Sequence, residues 1–258
     1  YKHPHKNKIL IKLIDYFLIV LFSFFLFSPV ILIYSEFLNS IFFEIELTFT
    51  FIHAFINSIL ISLSTGVVVS IFGLLISYLL VINHKNFLLQ QLLFLTSSMI
   101  LIISPIIFSL GYFIFFQPII HYSYLKFFLV ILINVIFLLP FAILIFFNNL
   151  KNLYLNFNDF RKTYRIELFS YIKIIFPLLK NNFLYVFSFS TVITLGDFTI
   201  ISFFRSENFE TLPSYLFKLI STYQFNEASF VAGTILFISM VIYFIIDNFN
   251  YQGRPDIT

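Results

Sequence analysis

The chain has 258 residues, 60% of them hydrophobic and 10% charged, and a formal net charge of +3 at pH 7. With a mean hydropathy of +0.99, it lacks the polar surface that a water-soluble domain needs to cover its core. It reads as an integral membrane protein, and because the sequence contains no cysteine, disulfides and thiolate chemistry are excluded.

Inside lipid, only helices and closed barrels satisfy every backbone polar group. The apolar runs here are continuous rather than alternating, which predicts an all-α polytopic fold. Six transmembrane helices are expected in chain order. The first, Tyr16–Tyr34, carries Pro29, and the second runs roughly Ile59–Ile82 after an interfacial stretch near Phe51–Ser58. The third lies within Phe87–Phe116, with Pro105 and Gly111. The fourth is Phe127–Phe147 with Pro140, the fifth Phe183–Phe204 with Asp197, and the sixth about Ala228–Ile246.

Lys and Arg set the orientation of such a bundle. With the N-terminus inside, twelve cations fall on inner segments and only Lys126, Arg205 and Lys218 on outer ones, so both termini are expected in the cytoplasm. The expected organisation is a basic flank, first span and outer loop over 1–50, a core over 51–247 with its largest inner segment at 148–182, and a cytoplasmic tail at 248–258. The leading "YKHPHKNK" reads as a solvated basic flank rather than a metal site at His3 and His5. The chain begins at Tyr1 and its methionines are Met99 and Met240, so it is expected to be the rear part of something longer.

Ser62, Gly66 and Ser70 recur at i, i+4 and i+8, with Gly73 and Ser77 close by, which marks a helix-packing face. In the fifth span Ser190, Thr194 and Asp197 share one helical face. An acid within a span is expensive, and it usually faces a water-filled path or a partner. Two readings of Asp197 stay open: a substrate-path residue together with Ser190 and Thr194, or a structural acid that caps a neighbouring helix or answers Asn134. In the inner segment, "NDFRKTYRIELFSYIKIIFPLL" mixes charged and apolar residues at helical spacing. It reads either as an interfacial helix on anionic lipid or as a docking helix for a partner.

This inner helix, ending in an apolar residue, Pro, then apolar residues, resembles the coupling segment of type I ABC importer permeases. That family's Glu-Ala-Ala positions are held here by Asn158, Asp159 and Phe160, its Gly position by Tyr164, and its Ile-x-Leu-Pro ending by Ile174, Phe176 and Pro177. "LGDFTIISFF" followed by "ENFETLPSYLFKLISTYQFNEAS" is similar to the C-terminal part of the thiamine ABC transporter permeases. The residues carrying that likeness are Gly196, Asp197 and Phe198, then Phe209, Thr211, Leu212, Pro213, Tyr215 and Leu216.

The resemblance implies a type I importer transmembrane fold in a multi-pass protein of the bacterial inner membrane. It implies import of thiamine or thiamine phosphates, with iron(III) or polyamine permeases as alternative substrate classes. The implied partners are a cytoplasmic ATP-binding subunit, a periplasmic substrate-binding protein and a second permease half, fused or separate. No cofactor, catalytic residue, metal or nucleic acid is expected. Residues 158–160, 164, 174, 176 and 177 would couple to the ATPase, and Glu207, Glu210, Thr211, Pro213 and Tyr215 would contact the binding protein. The glycines cannot form the G-x-x-x-x-G-K-[ST] run of a P-loop, so ATP hydrolysis would lie on another chain. An ion-coupled secondary transporter is the remaining alternative; it would carry more intramembrane polar groups.

Overall fold

The structure, a computed structural model, describes the backbone of residues 6–42, 49–82, 88, 91, 102–120, 122–164, 168–206 and 209–251. Side chains are described over the same residues except 6–11, 13, 40–42, 154–164, 168–176, 247 and 249–251. His3, His5, His84, His121 and Glu207 lie outside the described residues. The described residues form eight helices: α1 Lys6–Phe42, α2 Phe49–Ile82, α3 Pro105–Phe116, α4 Ser123–Tyr164, α5 Leu168–Gly196, α6 Ile201–Phe204, α7 Leu212–Ser221 and α8 Phe225–Tyr251.

The expectation of six transmembrane helices is not met. Among the described residues, four helices are long and apolar enough to cross a membrane: Ile14–Asn39, Phe49–Ile82, Ser123–Leu153 and Phe225–Ile246. Two of the expected spans account for the difference. The third is represented by α3, which begins at Pro105, where Ser104 is extended and proline occupies the first turn. Its 12 residues rise about 18 Å against a hydrocarbon layer of about 30 Å, and of residues 87–101 only 88 and 91 are described.

The fifth expected span, Phe183–Phe204, is broken. Helix α5 ends at Gly196 and the chain resumes helical form only in the four-residue α6. Nearer its start, α5 also carries Lys180, Asn181 and Asn182, which dilute its apolar character. An unbroken apolar run says nothing about a local competitor for backbone hydrogen bonds, and Asp197 is such a competitor.

Helix α2 is the hub, and its small-residue face is the reason. Ser62, Thr65, Ser70 and Ser77 have no exposed surface. A Cβ added at Gly66 would stand 2.3 Å from Thr191 Cγ2 on α5, and one at Gly73 would stand 2.6 Å from Ala142 Cβ on α4. Such contacts are possible only where the backbones approach closely, which is how membrane helices gain packing energy without a hydrophobic drive. Hydroxyls on this face bond mainly to their own helix, as Ser70 Oγ does to Gly66 O at 2.8 Å. Ser77 Oγ instead reaches across to Ile143 O on α4 at 3.3 Å.

Three apolar clusters radiate from α2. One joins Val69 and Val81 to Leu138, Phe146, Leu179 and Val186 of α4 and α5. A second joins Ile61 to Val130, Ile133, Ile200 and Phe204. The third joins Ala54 to Leu212, Tyr215 and Leu219 of α7 and Val231 of α8. Helix α1 stands apart: the most apolar stretch of its span has no buried residue. It packs on α8 where Phe37 covers Gly233, whose added Cβ would lie 2.4 Å from Phe37 Cβ.

Candidate functional site

The break between α5 and α6 is built by Asp197. Its Oδ1 accepts the Thr199 N–H at 2.9 Å and the Thr199 hydroxyl, and its Oδ2 accepts the Ile200 N–H at 3.3 Å. This is an N-cap arrangement, in which a short acidic side chain takes the unpaired N–H groups of the turn that follows. The turn then closes helically, with Ser202 N–H donating to Phe198 O at 3.0 Å and Arg205 N–H to Ile201 O at 3.0 Å. Behind it, Ile200, Ile201 and Phe204 are buried against Val130 and Ile133 of α4. The carboxylate thus serves the break itself, and Asn134 turns its amide to Val130 O at 3.0 Å on its own helix.

On α5, Thr194 and Ser190 lie about one and two turns before Asp197, and both are buried. Thr194 Oγ1 has no hydrogen-bond partner among the described residues, and neither does Thr65 Oγ1 on α2. Two unsatisfied hydroxyls in a buried helix interface are unusual, and sequence spacing singled out only Thr194.

Beyond α6 the chain turns through a bridge between Ser206 and Phe209 and enters α7. Thr211 caps this helix, and Pro213 occupies its first turn. Its first turn is satisfied partly from α2: Leu212 N–H donates to Ser58 Oγ at 2.7 Å, and Asn57 Nδ2 donates to Glu210 O at 3.0 Å. Locally, Thr211 N–H donates to Ser214 Oγ at 2.8 Å and Ser214 Oγ donates to Thr211 O at 2.9 Å. Of the residues expected to meet a binding protein, Thr211, Pro213 and Tyr215 are buried. Glu210 is largely covered and pairs with Lys218 at 3.2 Å. The outward face of α7 is instead Phe217, Lys218 and Ile220. Asn57 and Ser58 escaped the sequence reading because their partners lie 153 and 154 residues away.

The expected coupling residues divide between two helices. Asn158, Asp159, Phe160 and Tyr164 form the last turns of α4, and Ile174, Phe176 and Pro177 belong to the first part of α5. Residues 165–167 between them, and the side chains of 154–164 and 168–176, are outside the described set. Pro177 is exposed. Just beyond these ends, Leu150 and Leu179 are buried together in the α2–α4–α5 cluster.

No protein-family model matches the chain. It is similar to the thiamine transport system permease protein ThiP of three bacteria. The Haemophilus influenzae protein is 25% identical, covering 98% of this chain and 47% of the relative. The Salmonella typhimurium protein is 25% identical, covering 92% of this chain and 45% of the relative. The chain is homologous to ThiP-type ABC transporter permeases. The Escherichia coli K12 protein is 24% identical over 64% of this chain and 31% of its own length. The chain spans less than half the length of these curated relatives. It is a multi-pass protein of the bacterial inner membrane. Among its described residues no group of three or more His, Cys, Asp or Glu side chains converges as a metal site requires.

Proposed function

We propose that this chain is part of the membrane permease of an ATP-driven importer that moves a small solute across the inner membrane, and that the solute is thiamine or a thiamine phosphate. Similarity to thiamine permeases along almost the whole chain carries this reading. The ordered run from Gly196 to Leu216 supports its finer half. In this proposal a separate ATP-binding subunit grips the 148–182 segment at the junction of α4 and α5. Leu150 and Leu179 tie that junction to α2, so movement there would reach the helix that α4, α5 and α7 all pack against. The surface around α7 faces the substrate-binding protein, and the remaining permease half completes the path.

Asp197, with Ser190 and Thr194, borders that path in this proposal, where a carboxylate favours thiamine's cationic thiazolium ring. The test is uptake of labelled thiamine by cells lacking their own transporter and supplied with the full system, with spermidine and iron(III) as competing solutes. Spermidine or iron uptake in place of thiamine would overturn the substrate. Failure to copurify any ATP-binding subunit would favour ion coupling. Asp197→Asn and Asp197→Ser separate charge from capping, since Ser is also a good cap. Uptake falling about tenfold or more in both, with folding intact, corresponds to roughly 1.4 kcal/mol of lost charge interaction. Unchanged uptake would confine Asp197 to holding the break.

A further inference from the structure

We propose that the cleft between α1, α7 and α8 binds one acyl chain of an anionic phospholipid whose phosphate rests on Arg205. The cleft has a volume of about 360 Å³ and is open to the surface, at the small end of the range for small-molecule sites. Its walls come from four parts of the chain: Pro29 of α1, Gly196 and Phe198 at the break, Phe217 of α7, and Ala232 and Leu236 of α8. Pro29 and Ala232 both lie inside segments long and apolar enough to span the membrane, which in this proposal sets the cleft among hydrocarbon tails rather than water.

Its chemistry is that of an amphiphile with a negative head. The lining is apolar, and at Gly196 an added Cβ would meet no atom within 4 Å, which leaves the floor open. Phe198 and Phe217 stack with centroids 4.7 Å apart and rings 25° from parallel, forming a flat wall against which a hydrocarbon chain can lie. Arg205 is exposed, and its Cζ stands 5.9 Å from the centroid of that same Phe217 ring. Among the described residues Arg205 has no ion pair, whereas the neighbouring cation Lys218 is engaged by Glu210. A guanidinium at the rim of an apolar cleft matches a phosphate on an acyl tail and opposes a cationic solute. A neutral lipid would use the cleft but not the arginine, and free phosphate the arginine but not the cleft.

Native mass spectrometry of the full chain in mild detergent tests this, with phosphatidylglycerol and diacylglycerol, which has no phosphate, of matched tails titrated in parallel. One phosphatidylglycerol should be retained about fivefold more strongly than diacylglycerol, the scale of one basic side chain at an anionic surface. Arg205→Gln should abolish that preference and leave diacylglycerol retention unchanged, and Lys218→Gln should keep the preference. Gly196→Leu and, as a second filling variant, Ala232→Leu should lower retention of both lipids, with helix content checked by circular dichroism. Equal retention of the two lipids overturns the proposal, as does a preference that survives Arg205→Gln. So does displacement by millimolar inorganic phosphate alone, or full retention in a folded cleft-filled variant. Absence of any retained lipid, as when another protein segment occupies the cleft, overturns it too.

Discussion

Replacing Gly73 by alanine probes a close approach of α2 to α4. The new methyl would stand 2.6 Å from Ala142 Cβ, whereas non-bonded carbons rest about 3.5–4.0 Å apart. Neither atom can rotate away, because each is fixed directly to a helix backbone, so the helices must part locally by about 1 Å. Val69, Leu138 and Phe146, buried around this contact, would lose packing as they do. Overpacking of this kind costs about 1–3 kcal/mol. The assay is thermal loss of helical circular dichroism in detergent, with Ala142→Gly and the double variant measured alongside. Ala142→Gly alone loses about 0.5–1 kcal/mol through backbone entropy, yet in the double variant it removes the collision. The pair should therefore couple favourably by at least about 1 kcal/mol. Gly111→Ala is the control: it sits inside α3 with nothing within 4 Å of the added carbon, so it should be neutral or stabilising by up to about 1 kcal/mol. Strict additivity of Gly73→Ala and Ala142→Gly would refute the close approach.

Three further outcomes are expected. Gly66→Ala should destabilise the α2–α5 contact, because its methyl would meet Thr191 Cγ2 at 2.3 Å; Thr191→Ser, which removes that methyl and keeps the hydroxyl, should recover most of the melting temperature. Ser58→Ala removes the acceptor for the buried Leu212 N–H at 2.7 Å and should cost about 1–3 kcal/mol. Hydrogen exchange at Leu212 would detect it as faster exchange there than at helix interiors of α2. Tyr223, with φ at 61°, follows α7 in the left-handed position that ends a Schellman-type cap, where Gln224 N–H donates to Leu219 O at 3.0 Å. Tyr223→Gly should raise stability by about 1 kcal/mol by relieving that conformation; a lower melting temperature would mean that the Tyr223–Phe225 ring contact outweighs the backbone strain.

Membrane residence, helical class and the packing face of α2 could be read before any coordinates. Hydropathy is a property of each residue type, and Ser62, Gly66, Ser70, Gly73 and Ser77 share a face by helix geometry alone. The likeness to thiamine permeases was likewise legible, in the order of residues from Gly196 to Leu216. The number of spans was not, because Phe183–Phe204 is apolar enough to be one helix. What ends it is a choice between two sets of hydrogen bonds. Asp197 offers its carboxylate to the N–H groups of Thr199 and Ile200, and buried Phe204 and Ile201 hold the displaced turn against α4.

The same reasoning accounts for the segment around Glu210. Its sequence announces a helix start, yet burial of Thr211, Pro213 and Tyr215, and the outward turn of Phe217 and Lys218, follow from docking on Asn57 and Ser58 far earlier in the chain. Composition and spacing act on neighbours along the chain, and so they determined solvent, helix and face. Which polar group meets which, and where a helix gives way, depends on partners brought together only by folding, so tertiary structure alone decided them.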